Sequence, residues 1–184
     1  MSAAADSDLV LFADTLSCDD EFPLVLNVVE TISAQVASRA EAMLRTFALM
    51  EESSGEDAET HGGDPAIVRL ESKLDLALGL LAGLVTRHHP PPPPMALRWS
   101  RRGMRLIHPV ALVPGTSALV SVYLLAALPL PLELPVEVLA CEQDTTTVRL
   151  WLQFPDHEPA LQAGIERQLF RRHRRLIAES KRRR

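Results

Sequence analysis

The sequence predicts an α+β protein in which two long helices come first, a small antiparallel β-barrel follows, and a final helix ends the fold. Apolar residues recur at helical spacing before residue 90 and again after residue 158. Between these regions the pattern changes to short strand-like runs separated by turns, which is typical of a small barrel. With 184 residues the chain is long enough to bury one sizeable core.

Residues 1–23 are predicted to form an N-terminal arm. Leu9 to Leu16 is a short apolar run that indicates either an edge strand or a latch, and Cys18 to Pro23 indicates an acidic turn. Charge is divided between the two ends of the chain. Residues 1–64 carry 14 acidic and 2 basic side chains, whereas residues 165–184 carry 9 basic and 2 acidic ones.

Residues 24–89 are predicted to form two antiparallel helices that serve oligomerisation. Leu24 to Glu52 lacks proline and glycine and carries an apolar stripe at spacings of three and four, which predicts one long helix. Residues 53–63 are polar and acidic, so they predict a mobile link. The second helix is predicted to begin at Asp64-Pro65, because aspartate is a good N-cap and proline suits the first helical position. It is predicted to end before the prolines at 90–94.

The second predicted helix carries a heptad pattern. Six apolar residues recur along it at alternating steps of three and four: Ile67, Leu70, Leu74, Ala77, Leu81 and Leu84. Further apolar residues, among them Leu76 and Leu80, lie away from this seam, so more than one face of the helix is apolar. A helix of this kind must be covered on several sides. The seam therefore predicts a homo-oligomer.

Residues 95–157 are predicted to form the barrel, and residues 158–184 a basic final helix that begins at Glu158-Pro159. Short apolar runs bounded by turn residues predict five strands, at Ala96–Trp99, Met104–Ile107, Ala118–Ala126, Leu132–Cys141 and Thr146–Phe154. Arginines near the end of the last helix complement the helix dipole.

The motifs argue against an enzyme and predict no cofactor. Gly115-Thr116-Ser117 lacks the second glycine of a nucleophile elbow, and neither a phosphate-binding glycine loop nor an HExxH motif occurs. His88-His89 is predicted to lie in a solvated loop rather than bind a metal. The run Pro90 to Pro94 fits either a ligand for an aromatic groove or a stiff spacer, of which the spacer is favoured.

Composition also limits location and partners. Cys18 and Cys141 lack metal-ligand spacing, which indicates a reducing cytoplasm. Leu106 to Leu132 contains no charged residue, but prolines and glycine cut it into pieces too short for a membrane span. Only 4% of residues are aromatic and no stacking platform is visible, so the basic helix is predicted to serve packing or acidic protein surfaces rather than nucleic acid.

The turn after the first of these five strands concentrates the candidate ligand-binding residues: Arg98, Ser100, Arg101, Arg102 and Gly103. It offers a hydroxyl, a glycine that permits close backbone approach, and guanidinium groups that match phosphates and guanine edges. A solvated hairpin turn whose arginines balance nearby acids would have the same composition. The residues alone favour neither interpretation.

Together these features resemble the PilZ domain family. An amphipathic helix, a turn close to [D/N]-x-S-x-x-G, strands such as PGTSALVSVYLL and LPVEVLA, a hairpin and a C-terminal helix follow the PilZ order over about residues 24–180. Ser100 and Gly103 match the family's turn positions. The segments ESKLDLALGLLAGL and QLFRRHRRLIAE are similar to the atypical, tetramer-forming branch. The resemblance implies a six-stranded barrel, a homotetramer, and a receptor or relay for the bacterial second messenger cyclic di-GMP.

The chain departs from the family pattern at two points. Arg98 takes the acidic or amide position of the turn, which reverses the charge offered to a guanine edge. The RxxxR pair with which typical members grip the nucleotide does not precede the turn, where the nearest arginine is Arg87. We therefore expect a regulatory or adaptor protein with an unidentified protein partner and weak or absent cyclic di-GMP binding. The alternative is a genuine cyclic di-GMP receptor that uses the RWSRRG turn.

Overall fold

The computed structural model of the protein describes residues 3–53, 65–125, 130–145 and 147–182. Its helices are α1 (Ala3–Phe12), α2 (Ala34–Ser53), α3 (Pro65–His88) and α4 (Pro159–Arg182). Its strands are β1 (Ser17–Val28), β2 (Pro94–Ser100), β3 (Gly103–His108), β4 (Ser117–Val122), β5 (Leu132–Gln143) and β6 (Val148–Gln153). These strands form a closed antiparallel barrel in the order β1-β2-β3-β6-β5-β4. The expected six-stranded α+β fold is confirmed.

Apolar side chains that alternate with more exposed ones along the strands fill the barrel interior. In β4, Ala118, Val120 and Val122 point inward and are buried, whereas the residues between them are half-buried. The five strands predicted after residue 95 correspond to β2 through β6. β4 is shorter than predicted, because it ends at Val122, and the predicted end at residue 126 lies outside the described residues.

Strand β1 closes the barrel and occupies residues for which the sequence predicts other structures. Residues 17–23 of β1 pair with β2, and residues 24–28 pair with β4. The acidic turn predicted at Cys18–Pro23 and the helix predicted from Leu24 are therefore wrong over this strand. The valines after Leu24 have helical spacing, but β-branched residues also favour strands, and a short apolar run fits both structures. The barrel thus includes residues that are predicted from the sequence to belong to the N-terminal arm and to the first long helix.

The helices on either side of β1 also differ from the prediction. Of the two interpretations of Leu9–Leu16, the edge strand is wrong, because α1 is helical through Phe12, and the latch stays a prediction. Helix α2 begins only at Ala34, where the Ser33 hydroxyl accepts a hydrogen bond from the Gln35 N–H at 3.3 Å and caps the helix. The predicted link at 53–63 lies outside the described residues, apart from the last residue of α2.

Helices α2 and α4 pack on each other, and α2 lies over β5. Their apolar faces join the same core as the barrel interior through Ala40, Leu44, Phe47, Leu161, Ile165 and Leu169. Gly164 allows this close approach, since a Cβ there would lie 3.0 Å from the Leu44 side chain. Helix α2 therefore packs with α4, whereas α3 packs along no other element within the described ranges. None of the helices in those ranges is long and apolar enough to cross a membrane.

Asp20 of β1 anchors α4 to the barrel. Its carboxylate accepts hydrogen bonds from the Arg172 guanidinium, at 2.7 Å for the shortest, and from the Trp99 indole N–H at 2.8 Å. The Asp20 side chain is only 5% exposed, so these interactions are poorly screened by water. Arg172 also lies over the Phe22 ring, with its Cζ 4.4 Å from the ring centre. Burial, together with the nearby Asp20 carboxylate, raises the pKa of the Cys18 thiol, which therefore stays neutral.

Candidate functional site

The predicted ligand turn joins β2 to β3 at Ser100–Gly103. Ser100 is fully buried, and its hydroxyl accepts a hydrogen bond from the Arg102 N–H at 3.0 Å. The same hydroxyl donates to the carbonyl of Leu11 at 2.6 Å. A serine whose hydroxyl accepts a hydrogen bond from the backbone N–H two residues later is common in turns, because this local bond stabilises the turn without contacts from other helices or strands. Here the hydroxyl also ties the turn to α1.

Gly103 has no room for a side chain. A Cβ built there would collide with the carbonyl oxygen of Leu152 in β6 and would lie 2.8 Å from the Leu11 side chain. The glycine of the motif is therefore required where β3 meets β6 and where α1 lies over both strands.

Gly103→Ala is expected to lower the free energy of unfolding by about 1–3 kcal/mol or more, because the new methyl group must displace backbone. Urea unfolding at a fixed protein concentration measures the loss. Gly79→Ala on α3 is the control, since nothing lies within 4 Å of a Cβ at that position. Similar stability of the two variants would contradict the steric argument.

The C-terminal end of α1 lies over this turn. The Arg102 guanidinium donates to the carbonyl of Val10 at 3.1 Å and to that of Ala13 at 3.3 Å. The last carbonyls of a helix have no partner within it, and a cation there also complements the helix dipole. The chain then turns back towards β1 at Asp14, which adopts a φ of 53°. Arg102 is thus bound to the chain's own helix end.

Asp8 forms the second contact between α1 and the barrel. Its carboxylate accepts hydrogen bonds from the Arg105 guanidinium at 2.7 and 3.0 Å, and from the Trp151 indole N–H at 2.6 Å. The Arg105 and Asp8 side chains are 28% and 38% exposed, so solvent screens the ion pair in part. The Trp151 indole N–H gives Asp8 a directional hydrogen-bond partner in addition to the positively charged Arg105 guanidinium.

Two apolar side chains of α1 complete the contact. Leu11 is fully buried and packs with Ala140 and Trp151 in a small cluster separate from the main core. The ring of Phe12 lies beneath the Arg98 guanidinium, with 4.8 Å between Cζ and the ring centre. The Arg98 guanidinium also donates to the Ser17 hydroxyl at 3.0 Å. Arg98 is therefore held between α1 and β1 by a cation–π contact and a hydrogen bond.

Arg101 points away from this contact. Its guanidinium lies 3.7 Å from the Glu166 carboxylate of α4, and both side chains are more than 40% exposed. An ion pair this exposed contributes little. Of the five predicted site residues, four gather beneath α1: Arg98, Ser100, Arg102 and Gly103.

The residues that contact this turn and the adjacent strands could be identified from the sequence only in part. Asp8, Leu11 and Phe12 lie on one helical face at i, i+3 and i+4. This spacing is visible in the sequence, but a short apolar run such as Leu9–Leu16 fits a strand as well. Arg105 belongs to the arginine-rich stretch around the turn, but nothing in the sequence relates it to Asp8. Trp151 carries no local signal, since it meets Asp8 only once the barrel has closed.

The predicted oligomerisation seam lies on the uncovered helix α3. Leu74 and Leu81 of the seam are 57% and 58% exposed, and the off-seam Leu76 and Leu80 are 65% and 68% exposed. The other seam residues, Ile67, Leu70, Ala77 and Leu84, are exposed as well. A continuous exposed apolar surface of this kind is typical of an interaction site.

Metal ligation finds no support in the side chains that the structure describes. Across residues 3–53, 65–125, 130–145 and 147–182, no three His, Cys, Asp or Glu residues come together as a metal site. His88 is the last residue of α3, and the His89 N–H caps the helix by donating to the Val85 carbonyl at 2.8 Å.

The chain is similar to known proteins in sequence and in fold. The family described as "Atypical PilZ domain, cyclic di-GMP receptor" matches residues 44–183. A crystal structure of a pathogenic protein from Xanthomonas campestris, described as a new tetrameric PilZ domain self-assembled via an unusual helical bundle, is 36% identical in sequence. The match covers 96% of this chain and 98% of the other, with a TM-score of 0.86. No curated protein matches the chain.

Proposed function

Because the chain belongs to the atypical PilZ domain family, we propose that it is a non-enzymatic regulatory or adaptor protein of bacterial cyclic di-GMP signalling. It acts as a homotetramer assembled through α3, and its contact with the signalling network is a protein partner rather than a nucleotide bound in the usual mode.

Assembly through α3 is supported by the exposed heptad leucines. A helix that is apolar on several faces loses free energy in water unless other helices cover it, and heptad a and d positions are the geometry with which they do so. Within the described ranges no element packs along α3, which leaves its apolar faces open to other copies or other proteins. The similar protein of known structure is a tetramer that self-assembles via a helical bundle. This favours other copies of the same chain, rather than other proteins, as the cover for α3.

The contact between α1 and the turn is the observation that supports weak or absent cyclic di-GMP binding in the usual mode. Ser100 and Arg102 already bind backbone carbonyls of residues 10–13, and Arg98 already stacks on Phe12. A nucleotide would have to break these interactions before it reached the same groups. In addition, the positive charge of Arg98 stands where the family offers a hydrogen-bond acceptor to guanine.

One observation favours the alternative of a cyclic di-GMP receptor. Arg98, Arg102 and Arg105 converge around α1, and three guanidinium groups on one surface are suited to phosphate oxygens. In this alternative α1 leaves and the nucleotide takes its place.

Titration of the wild-type chain with cyclic di-GMP in a calorimeter tests the two functions. We expect no saturable heat at micromolar nucleotide, and we expect light scattering to give the mass of a tetramer both with and without it. Saturable binding that Ser100→Ala removes would establish the alternative. Ser100→Ala is informative because it deletes the hydroxyl and adds no bulk.

A further inference from the structure

Helix α1 is attached to the barrel as a separate unit. It takes part in no strand pairing, and its buried Leu11 belongs to the small cluster with Ala140 and Trp151. The main core is formed by the strands together with α2 and α4, and includes no residue of α1. Departure of α1 would therefore uncover the small cluster and leave the main core closed. Local opening of this kind is expected where few buried groups hold an element in place.

The barrel surface beneath α1 contacts each kind of group that a short acidic helix presents. We call it the helix-binding face and define it as Arg98, Ser100, Arg102, Arg105 and Trp151. Ser100 and Arg102 bind carbonyls at the helix end, and Arg105 and Trp151 bind a carboxylate. The apolar side of Trp151 packs on Leu11, and Arg98 lies over Phe12. Because Asp8, Leu11 and Phe12 share one helical face, the surface is matched to a helix rather than to an extended peptide.

We propose that the helix-binding face is a docking site for a short acidic helix of a protein partner, and that α1 occupies it in the partner's absence. The inference rests on the proposed adaptor function, which requires such a contact. The partner helix is defined by chemistry: a carboxylate, a leucine-sized side chain three residues later, an aromatic ring four residues later, and free carbonyls at the C-terminal end. The arginines of the face supply the complementary charge.

The short connection from α1 to β1, Ala13–Leu16, sets the conditions for exchange. It keeps α1 at a high effective concentration over the face, so a helix added in trans must compete with it. The apparent affinity for the added helix is reduced by the fraction of time that α1 is bound. Weakening α1 alone should therefore strengthen docking in trans.

A fluorescent peptide with the sequence of residues 3–14, AAADSDLVLFAD, is the probe. Fluorescence anisotropy measures its binding to the full chain as wild type and as Asp8→Arg, in which residue 8 repels Arg105. We expect the peptide to bind Asp8→Arg at least about tenfold more tightly than wild type, because the face is then free for a larger fraction of the time. Leu11→Ala loosens α1 without a new charge and should act in the same direction.

Three controls define the contact. Asp6→Arg makes the same change on the exposed side of α1 and should leave peptide binding at the wild-type level. The double variant Asp8→Arg/Arg105→Asp restores an ion pair within the chain and removes the partner of the peptide's aspartate, so binding should return to the wild-type level or below. A peptide that itself carries Asp8→Arg should not bind. Circular dichroism and light scattering verify that each chain keeps its fold and mass.

Peptide binding that is no tighter to Asp8→Arg and Leu11→Ala than to wild type would overturn the inference. Displacement of the peptide from Asp8→Arg by cyclic di-GMP would also overturn it, because the face would then belong to a nucleotide. Binding of cyclic di-GMP by the wild-type chain would instead contradict the proposed function. A failure of the docking inference can therefore be distinguished from a failure of the proposed function.

Discussion

A chain that carries both Leu74→Glu and Leu81→Glu is expected to have a smaller mass in light scattering than wild type. Both leucines occupy equivalent positions of the heptad seam on α3, one heptad apart, and both are more than half exposed in the single chain. Each should contribute roughly 1.5–3 kcal/mol when buried in an assembly. Glutamate removes that contribution and places carboxylates of neighbouring copies close together, so dissociation should be complete at dilutions where wild type stays assembled.

Leu76→Glu is the matched control for this prediction. Leu76 lies on the same helix and is 65% exposed, but it occupies a position away from the seam. Because the faces away from the seam also need cover, Leu76→Glu should weaken the assembly, but less than the double variant on the seam does. If the double variant keeps the wild-type mass, the seam has no role in assembly; if Leu76→Glu dissociates the protein equally well, assembly depends on general apolarity rather than on heptad geometry.

Asp20→Ala is expected to lower the free energy of unfolding by about 3 kcal/mol or more. Removal of one member of a buried ion pair typically costs about 3–5 kcal/mol, since the other charge stays behind without compensation. Here the loss should lie at the lower end of that range, because the Arg172 side chain is 26% exposed. The substitution leaves both the Arg172 guanidinium and the Trp99 indole N–H without their carboxylate. It also removes the polar link between α4 and β1, so the effect should appear as a lower urea midpoint at a fixed protein concentration.

Asp19→Ala provides the control, because Asp19 is the preceding residue of β1 and is exposed. It should change stability by less than about 1 kcal/mol, as exposed charges generally do. Asp20→Asn keeps the shape and one acceptor oxygen, so an intermediate loss would separate the contribution of charge from that of the hydrogen bonds. Equal losses for the alanine variants at 19 and 20 would rule out a specific anchor.

The sequence predicted those elements whose local signals agree with their final surroundings. Proline and N-cap signals placed the start of α3 at Pro65 and that of α4 at Pro159, and turn residues separated β2 through β6. The predictions were wrong for segments whose secondary structure depends on tertiary contacts. β1 is a strand because β2 and β4 lie on its two sides, and α1 is a short helix that depends on contacts with the barrel, as short helices generally do.

The candidate site could be predicted only in part for the same reason. Ser100 was identified in a position where its hydroxyl bonds the Arg102 N–H within the turn itself, a local contact that a motif can record. The structural reason for Gly103, its close approach to β6 and α1, lies outside the hairpin. The occupant of the site could not be identified. Asp8 reaches Trp151 only after the barrel has brought β6 beside β3, and no spacing rule relates residues so far apart in the chain.

The position of β1 in the chain has a consequence for biosynthesis. Ser17 pairs with Ser100, and all of α2 and α3 lies between them. As the polypeptide leaves the ribosome, β1 emerges long before β2 and β4 exist, so its backbone groups have no partner strand. Joining distant segments costs loop-closure entropy and slows folding, and an unpaired apolar strand can add to the strand of another molecule. Nascent chains are therefore most prone to aggregate in the interval before β4 is synthesised.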